Sequence, residues 1–411
     1  MIDPITRNRS FWLLCTIGFL AFVSYDLIRS PLLPLFAEKL GAGPEAIGFI
    51  VGASTLTGVF MKLPSGTLSD HLGRPRMLLL GLLVFAVAPY GYLVVHQLWQ
   101  LVALRFLHGL ATGIFAPVAM AVVVDLYSSG RGEVLSWYSS FTQAGRLFGR
   151  MAGGYLLLWF GFGPTFLMSA VLGLVLLVLF LRLTLNGESA PVPQMTGRFS
   201  RREMLRGIRE VAADSRILVT SGMEAFQMLA SGALMAFLPL YGVMVGLHPG
   251  EVGLLFGIQG VSSILTKPVM GRISDRFGRR PLIVTGQLIC AAVMGLIPWT
   301  GNLWVLLLLA FIFGFGEAVI GSSTSALVAD LCRAQSYGSA MGVFGTIMDV
   351  GHASGPIVTG FLIGLFDFRG AFGIVAALLV IVTVFFLTTV RPTTLDSGGP
   401  RSERPPHPEQ P

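Results

Sequence analysis

Long apolar stretches recur along the chain and are separated by short polar segments. Twelve stretches approach or exceed the 20 or so residues that a helix needs to cross a membrane. Their approximate limits are 11–36, 45–66, 77–95, 98–126, 135–159, 164–184, 217–245, 250–271, 282–300, 303–331, 337–366 and 370–390. They are continuously apolar and do not alternate with period two, which disfavours a β-barrel. The pattern predicts an all-α membrane protein with twelve transmembrane helices.

Composition supports this prediction and narrows the function. Hydrophobic residues make up 54% of the 411 residues and charged residues 12%, whereas ordinary soluble domains contain about 25% charged residues. A soluble enzyme, a coiled coil and a disordered chain are therefore excluded. Walker A, HExxH, CxxC and GxSxG motifs do not occur. We expect no enzymatic activity, no cofactor and no metal site.

Basic residues are distributed unevenly between the two sets of loops. If the N-terminus is cytoplasmic, 20 of the 28 Lys and Arg residues fall on the cytoplasmic side, and the opposite loops hold only Lys39 and Arg369. The positive-inside rule then predicts an integral, multi-pass protein of the cell (inner) membrane with both termini in the cytoplasm. The net charge of +7 thus marks one membrane face, and we expect no nucleic-acid partner.

The longest cytoplasmic loop, residues 185–216, divides the chain into an N-terminal part, 1–184, and a C-terminal part, 217–390. Within it, Phe199–Asp214 has apolar residues at helical spacing with arginines between them. This segment is interpreted either as a short helix on the inner leaflet or as a solvated connector. The tail, 391–411, is rich in Pro, Gly, Ser and charge, which is typical of disorder.

The two parts align with one constant shift of 205 residues and no gap across the first four spans of each. Glycines and prolines match, and so do charged residues: Lys62 with Lys267, Asp70 with Asp275, Arg74 with Arg279 and Asp125 with Asp330. Six spans per repeat is an even number, so both repeats have the same orientation in the membrane. This is the parallel arrangement, with an axis along the membrane normal.

The sequence resembles the major facilitator superfamily over nearly its whole length. GTLSDHLGRPR, Gly66–Arg76, is similar to the family's signature loop, and GRISDRFGRR, Gly271–Arg280, to its repeat. LVALRFLHG, Leu101–Gly109, is similar to the family's Arg-x-x-Gln-Gly motif with His108 in place of Gln. The resemblance implies two six-helix bundles around a central cavity that alternate in access by rocking.

The resemblance also implies a gating role for the signature loops, through Gly66, Asp70, Gly73, Arg74, Gly271, Asp275, Gly278 and Arg279. Gly66 and Gly73 are expected at tight turns, and Asp70 is expected near a helix N-terminus, where it would form a charge cluster with the arginines. The alternative is that these residues only fix topology through their positive charge.

Charged residues inside spans are costly, at about 2.5–3.5 kcal/mol each on insertion scales. In the family, spans one, four, seven and ten line the cavity and spans five and eleven lie between the halves. The resemblance therefore places one set of polar residues around the cavity: Asp26, Arg29, Arg105, His108, Glu224 and Glu317. It places another set at the interface: Arg146, Arg150 and Asp349, with His352 near Asp349.

Two hypotheses address these charges. Pairs between the halves hold one face closed, or a carboxylate binds and releases a proton, for which Asp26 and Glu317 are the preferred carriers. The alternative for Asp26 is a permanent salt bridge with Arg29, one turn later. His108 is either a proton relay or a polar packing residue.

Small residues recur every fourth position in span five, at Gly145, Gly149 and Gly153, and in span eleven, at Gly351 and Gly355. This spacing lets helices approach closely. The span-five sequence GRLFGRMAGG resembles the family's antiporter element, but Arg150 stands where Pro is expected. Arg150 is therefore a candidate interface or anion-contact residue.

These features favour a secondary transporter, and specifically the proton-coupled efflux of a small amphipathic compound. Asp26 and the Pro31–Pro34 pair, which resembles drug and sugar exporters, motivate that prediction. The intramembrane arginines motivate an alternative, the uptake or exchange of an organic anion. A non-transporting receptor or scaffold is a third possibility. The expected partners are a small-molecule substrate, protons and the lipid bilayer, and we expect a monomer.

Overall fold

The computed structural model describes residues 9–127, 130–185, 213–332 and 337–390. Within these residues the elements are helices, with a short 3₁₀ turn at Ile297–Trp299: α1 (Arg9–Arg29), α2 (Leu32–Lys39), α3 (Pro44–Leu72), α4 (Arg74–Gly91), α5 (Leu98–Asp125), α6 (Arg131–Phe160), α7 (Phe162–Leu185), α8 (Ser215–Met244), α9 (Pro249–Phe277), α10 (Arg279–Leu296), α11 (Leu303–Leu331) and α12 (Tyr337–Thr389). The predicted linker helix lies almost entirely outside the described residues, and the predicted tail lies wholly outside them.

These helices make twelve crossings, as predicted. The pair α1 and α2 forms one crossing, interrupted at the cis peptide Ser30–Pro31. Helix α12 changes direction at Asp367, whose φ is 63°, and makes two. By length and composition alone, nine of the described helical segments are apolar enough to span a membrane. Helices α4 and α6 are not among these nine because arginines lower their mean hydropathy. Adding them, and counting α12 as two crossings, gives the twelve crossings.

The crossings form two bundles of six with the same internal contacts. In the N-terminal bundle α1 packs on α6, α3 on α5, and α4 on both α5 and α7. In the C-terminal bundle α8 packs on the first half of α12, α9 on α11, and α10 on both α11 and the second half of α12. The bundles meet where α3 packs on α12 and α6 on α9. This confirms the predicted two-bundle architecture.

Glycines allow the closest helix contacts in both bundles. A Cβ added to Gly149 of α6 would lie 2.7 Å from the carbonyl oxygen of Val23 in α1, and one at Gly355 of α12 would collide with the carbonyl of Leu229 in α8. Any larger side chain would force these helices apart. The predicted role of the four-residue glycine spacing is thus confirmed.

The hydrophobic core shows at which end the bundles are joined. We call the end that carries the turns at Gly73 and Gly278 the signature face, and the other end the opposite face. Toward the opposite face one buried cluster contains residues of both bundles, from Leu27 of α1 to Leu379 of α12. Toward the signature face the buried clusters belong to one bundle only. The bundles are therefore packed together at the opposite face and separate toward the signature face.

Helix α8, the first helix of the second bundle, begins at Ser215 with a capped N-terminus. Its N-cap, Asp214, accepts a hydrogen bond from the backbone N–H of Arg216 at 2.9 Å, and Arg216 also forms an ion pair with it. The hydrogen bond from the Arg216 side chain lowers the pKa of Asp214 below its ordinary value. The cap marks where the chain re-enters the membrane after the linker.

Candidate functional site

A cavity of about 640 Å³ lies between the bundles on the signature-face side of the joined core. Five basic and three acidic side chains of the described residues line it, together with Tyr25 and His352: Arg29, Lys62, Arg146, Arg150, Lys267, Glu224, Glu317 and Asp349. Most of the charges predicted within the spans therefore meet in one place. Their cost in the membrane is reduced because they face a polar cavity and one another.

Asp26 lies immediately behind this wall and is fully buried. Its carboxylate accepts hydrogen bonds from Arg146 Nη1 at 3.3 Å and Arg150 Nε at 3.1 Å. The hypothesis that Arg29 pairs with Asp26 is wrong, since the Arg29 guanidinium donates to Thr55 Oγ1 at 2.9 Å. The close approach of α6 at Gly149 brings the two α6 arginines over α1, which the spacing within α1 could not show.

Arg105 and His108 do not line the cavity, contrary to the prediction. Both are fully buried inside the N-terminal bundle. Arg105 donates to Tyr92 Oη at 3.2 Å and to Ser54, and His108 Nδ1 lies 3.1 Å from the same Tyr92 hydroxyl. The Tyr25 ring, 4.8 Å from the His108 ring, lies at the cavity wall. This network supports the wall from behind.

The two glutamates of the C-terminal bundle have neutral hydrogen-bond donors. Thr324 Oγ1 donates to Glu224 at 2.7 Å, and Gln259 Nε2 donates to Glu317 at 3.2 Å. Both glutamates line the cavity, as predicted. Among the described residues neither carboxylate forms an ion pair, so either can gain a proton without leaving an arginine unpaired.

Two lysines reach from one bundle to the other. Lys62 of α3 forms an ion pair with Asp349 of α12, and Lys267 of α9 donates to Gln143 Oε1 of α6 at 3.4 Å. Asp349 therefore lies at the interface, as predicted. Neither lysine is among the predicted site residues, although the two occupy equivalent positions in the repeat.

The signature segments form two matching clusters, each within its own bundle. Arg74 pairs with Asp70 at 3.1 Å and with Asp125 at 2.9 Å. Arg279 pairs in the same way with Asp275 and with Asp330, at 3.1 Å to the latter. Asp125 and Asp330 on the fourth span of each repeat were not predicted as partners. Each cluster connects three consecutive helices.

The predicted geometry of these segments needs two corrections. Gly73 and Gly278 form the turns, each with a φ of 90°, but Gly66 and Gly271 lie inside α3 and α9, because both helices extend past the apolar stretch. For the same reason Asp70 lies in the last turn of α3 rather than near a helix N-terminus. From there its carboxylate reaches Arg74 at the start of α4.

Two six-helix bundles around a charged central cavity define a polytopic membrane transporter. Residues 14–248 and 220–410 both match the family model described as Major Facilitator Superfamily. The chain belongs to this superfamily, and its members are transporters and not enzymes.

Similar proteins agree with this assignment. The multidrug resistance protein MdtG of Salmonella heidelberg is 27% identical over 94% of this chain and 97% of its own length, and MdtG of Citrobacter koseri is 26% identical over 94% and 96%. A bacterial homologue of the human lysosomal transporter Spinster, solved in an inward-facing and unoccupied conformation, superposes with a TM-score of 0.80 at 16% identity, covering 94% and 97%. The nucleoside transporter NupG gives 0.78 at 15% identity, covering 93% and 99%.

Proposed function

We propose that the chain exports small amphipathic compounds from the cytoplasm in exchange for protons, by a rocking motion of the two bundles. The single observation that carries this proposal is the pair of glutamates, Glu224 and Glu317, which face a cavity between the bundles and have, among the described residues, only neutral donors as partners. The multidrug resistance names of the MdtG relatives support export. The positive-inside assignment makes the signature face cytoplasmic, and the cavity then opens inward.

The glutamates provide a simple means of exchange. A proton and a cationic or hydrogen-bond-donating group of the compound compete for the same carboxylate oxygens. Binding of one therefore favours release of the other, which couples the two movements. Both glutamates are on the C-terminal bundle, so a single change of access moves them together.

Asp26 has a different role in this proposal. Its two arginine partners would lose their counter-charge within the membrane if Asp26 took up a proton, at a cost of several kcal/mol. Asp26 is therefore assigned to holding Arg146 and Arg150 in the cavity wall. The proton-carrying role predicted for Glu317 is kept, and Glu224 is added to it.

The signature clusters are assigned to keeping each bundle rigid during rocking. Each joins three helices through one arginine, Arg74 or Arg279, and both lie at the end where the bundles separate. The bundles would approach one another at this end when access changes. We therefore keep the predicted gating role for Asp70, Arg74, Asp275 and Arg279 as part of the proposal.

A second function, exchange of organic anions, is favoured by one observation. Basic side chains outnumber acidic ones among the described residues of the cavity wall, five to three. An anion exchanger would move its substrate without any proton flux. The two functions are thus separated by the same measurement.

The test uses the full chain reconstituted in liposomes that contain a pH-sensitive dye. A panel of amphipathic amines, amino acids and carboxylates is added on one side under a pH gradient. Export in exchange for protons predicts proton flux opposite to the compound for at least one amine or amino acid, and its loss in Glu224→Gln/Glu317→Gln. Transport that proceeds equally with and without a gradient, or carboxylate exchange with no proton flux, would contradict it.

A further inference from the structure

The two bundle-bridging lysines occupy equivalent positions but have different partners. Lys62 and Lys267 align at the repeat shift of 205. The interface helices α6 and α12 align at a shift that is one residue larger. Gly149 of α6 contacts α1 in the same way that Gly355 of α12 contacts α8, and these two glycines are 206 residues apart. At that shift of 206, Gln143 of α6 corresponds to Asp349 of α12. The twofold symmetry of the fold therefore relates the pair Lys62–Asp349 to the pair Lys267–Gln143.

The chemistry of the two pairs differs in one respect. Lys62 bonds to a carboxylate, whereas Lys267 bonds to the amide oxygen of Gln143 at 3.4 Å. Among the described residues no carboxylate is within ion-pair distance of Lys267. A half-buried ammonium next to a neutral amide retains an unsatisfied preference for an anion.

The space beside Lys267 can hold such an anion. A recess of about 180 Å³ opens between α6, α8 and α9 and shares Gln143, Lys267 and Glu317 with the main cavity. Arg146 and Arg150 also line it, and these two positive charges share the single carboxylate of Asp26. The local charge is therefore positive on the side of Lys267.

We propose that Lys267 and Gln143 bind the single anionic group of the compound that the protein carries. The anion lies beside the Lys267–Gln143 contact and supplies the negative charge that the Asp349 carboxylate provides in the related pair, so a bound compound adds a charged contact at this junction of the two bundles. This inference rests on the proposed function in one respect: it assumes that the ligand of the recess is the compound that the protein transports. Together with Glu317 in the same recess, it defines the substrate class as amphipathic compounds with an anionic group and a donor group.

The test compares tryptophan with tryptophanamide by equilibrium binding to the full chain in nanodiscs near pH 6, where the amines of both probes are protonated and the difference between them is a carboxylate or a carboxamide. Tryptophan is expected to bind about tenfold more tightly, the effect of one charge-assisted hydrogen bond. Lys267→Gln should remove that difference. Gln143→Glu should remove it as well, because it supplies an internal carboxylate to Lys267, and it should also raise the melting temperature of the ligand-free protein.

The matched control is Lys39→Gln, which removes a lysine that lies outside the cavity over the Phe162 ring and should leave the tenfold difference intact. Equal affinities for the two probes, absence of saturable tryptophan binding, or a difference that survives in Lys267→Gln would overturn the proposal. No gradient is applied, so a failure of proton-coupled export does not alter this result. Conversely, a failure here leaves the proton-flux measurement interpretable.

Discussion

The ammonium of Lys62 in α3 is ion-paired with the carboxylate of Asp349 in α12, and this contact joins the N-terminal bundle to the C-terminal bundle. The two side chains are partly exposed to the cavity, 45% for Lys62 and 26% for Asp349. The pair lies at the level where the bundles begin to separate toward the signature face. Any change of access must preserve or break it.

A double-mutant cycle on this pair tests its contribution. Lys62→Gln and Asp349→Asn should show a coupling energy of about 0.2–1 kcal/mol in thermal or denaturant unfolding, because solvent in the cavity screens the charges without removing their attraction. The charge-swapped double variant Lys62→Asp/Asp349→Lys should recover most of the loss seen in either single reversal. Additive effects and no recovery would show that the two residues act independently. The Asp214–Arg216 pair, within one helix cap, is the control for a pair that does not join the bundles.

The buried carboxylate of Asp26 should be the most sensitive charged position in the N-terminal bundle. Asp26→Asn leaves two arginines without their counter-charge, and we expect it to lower the free energy of unfolding by about 3 kcal/mol. Arg150→Met alone leaves Asp26 with Arg146 and should cost less, and the double variant should cost less than the sum. A wild-type melting temperature for Asp26→Asn would contradict the assigned role.

The glycine contact between α6 and α1 gives a prediction about packing. Gly149→Ala should destabilise the protein by about 1–3 kcal/mol, because its Cβ would overlap the Val23 carbonyl. Gly222→Ala in α8 is the control, since among the described residues no atom outside its own helix lies within 4 Å of a Cβ there. That change should raise stability by about 0.5–1 kcal/mol through helix propensity. The comparison is made by thermal unfolding in one detergent, and equal effects of both changes would refute the close packing.

Sequence predicted the fold well because its signals are local and repeated. Span lengths, the shift of 205 residues and the glycine spacing each depend on neighbours in the chain or on the repeat. Partners across helices were harder to predict. Arg29 is adjacent to Asp26 along α1, but the close approach of α6 gives Asp26 the arginines at 146 and 150 instead.

The same limit applies to the cavity wall. Arg105 and His108 have the sequence context of cavity residues, yet the rotation of α5 directs them toward Tyr92 inside the bundle. Periodicity does not define that rotation when a helix is apolar on all sides. The Lys267–Gln143 contact was in principle detectable, because the repeat aligns Lys267 with Lys62. The correspondence of Gln143 with Asp349 was not visible at the shift of 205 residues, because these two residues are 206 residues apart.

The glutamates should separate coupling from binding. Glu317→Gln should reduce uphill transport driven by a pH gradient, because only Glu224 is left to carry a proton, while retaining downhill exchange of compound across the liposome membrane. The physical reason is that the amide still accepts a hydrogen bond from the compound but cannot bind a proton. Glu317→Ala, which loses both properties, is the comparison. Gradient-driven transport by Glu317→Gln at the wild-type rate would show that Glu317 carries no proton.

The central claim, that a compound and a proton compete for Glu224 and Glu317, is tested most directly by proton release on binding. Tryptophanamide is added to the protein in weakly buffered solution near pH 6, and the change in pH is recorded with a dye against the amount bound. The account predicts net release of up to about one proton per bound molecule in the wild type and none in Glu224→Gln/Glu317→Gln. Binding without proton release, or release that is unchanged in the double variant, would contradict it.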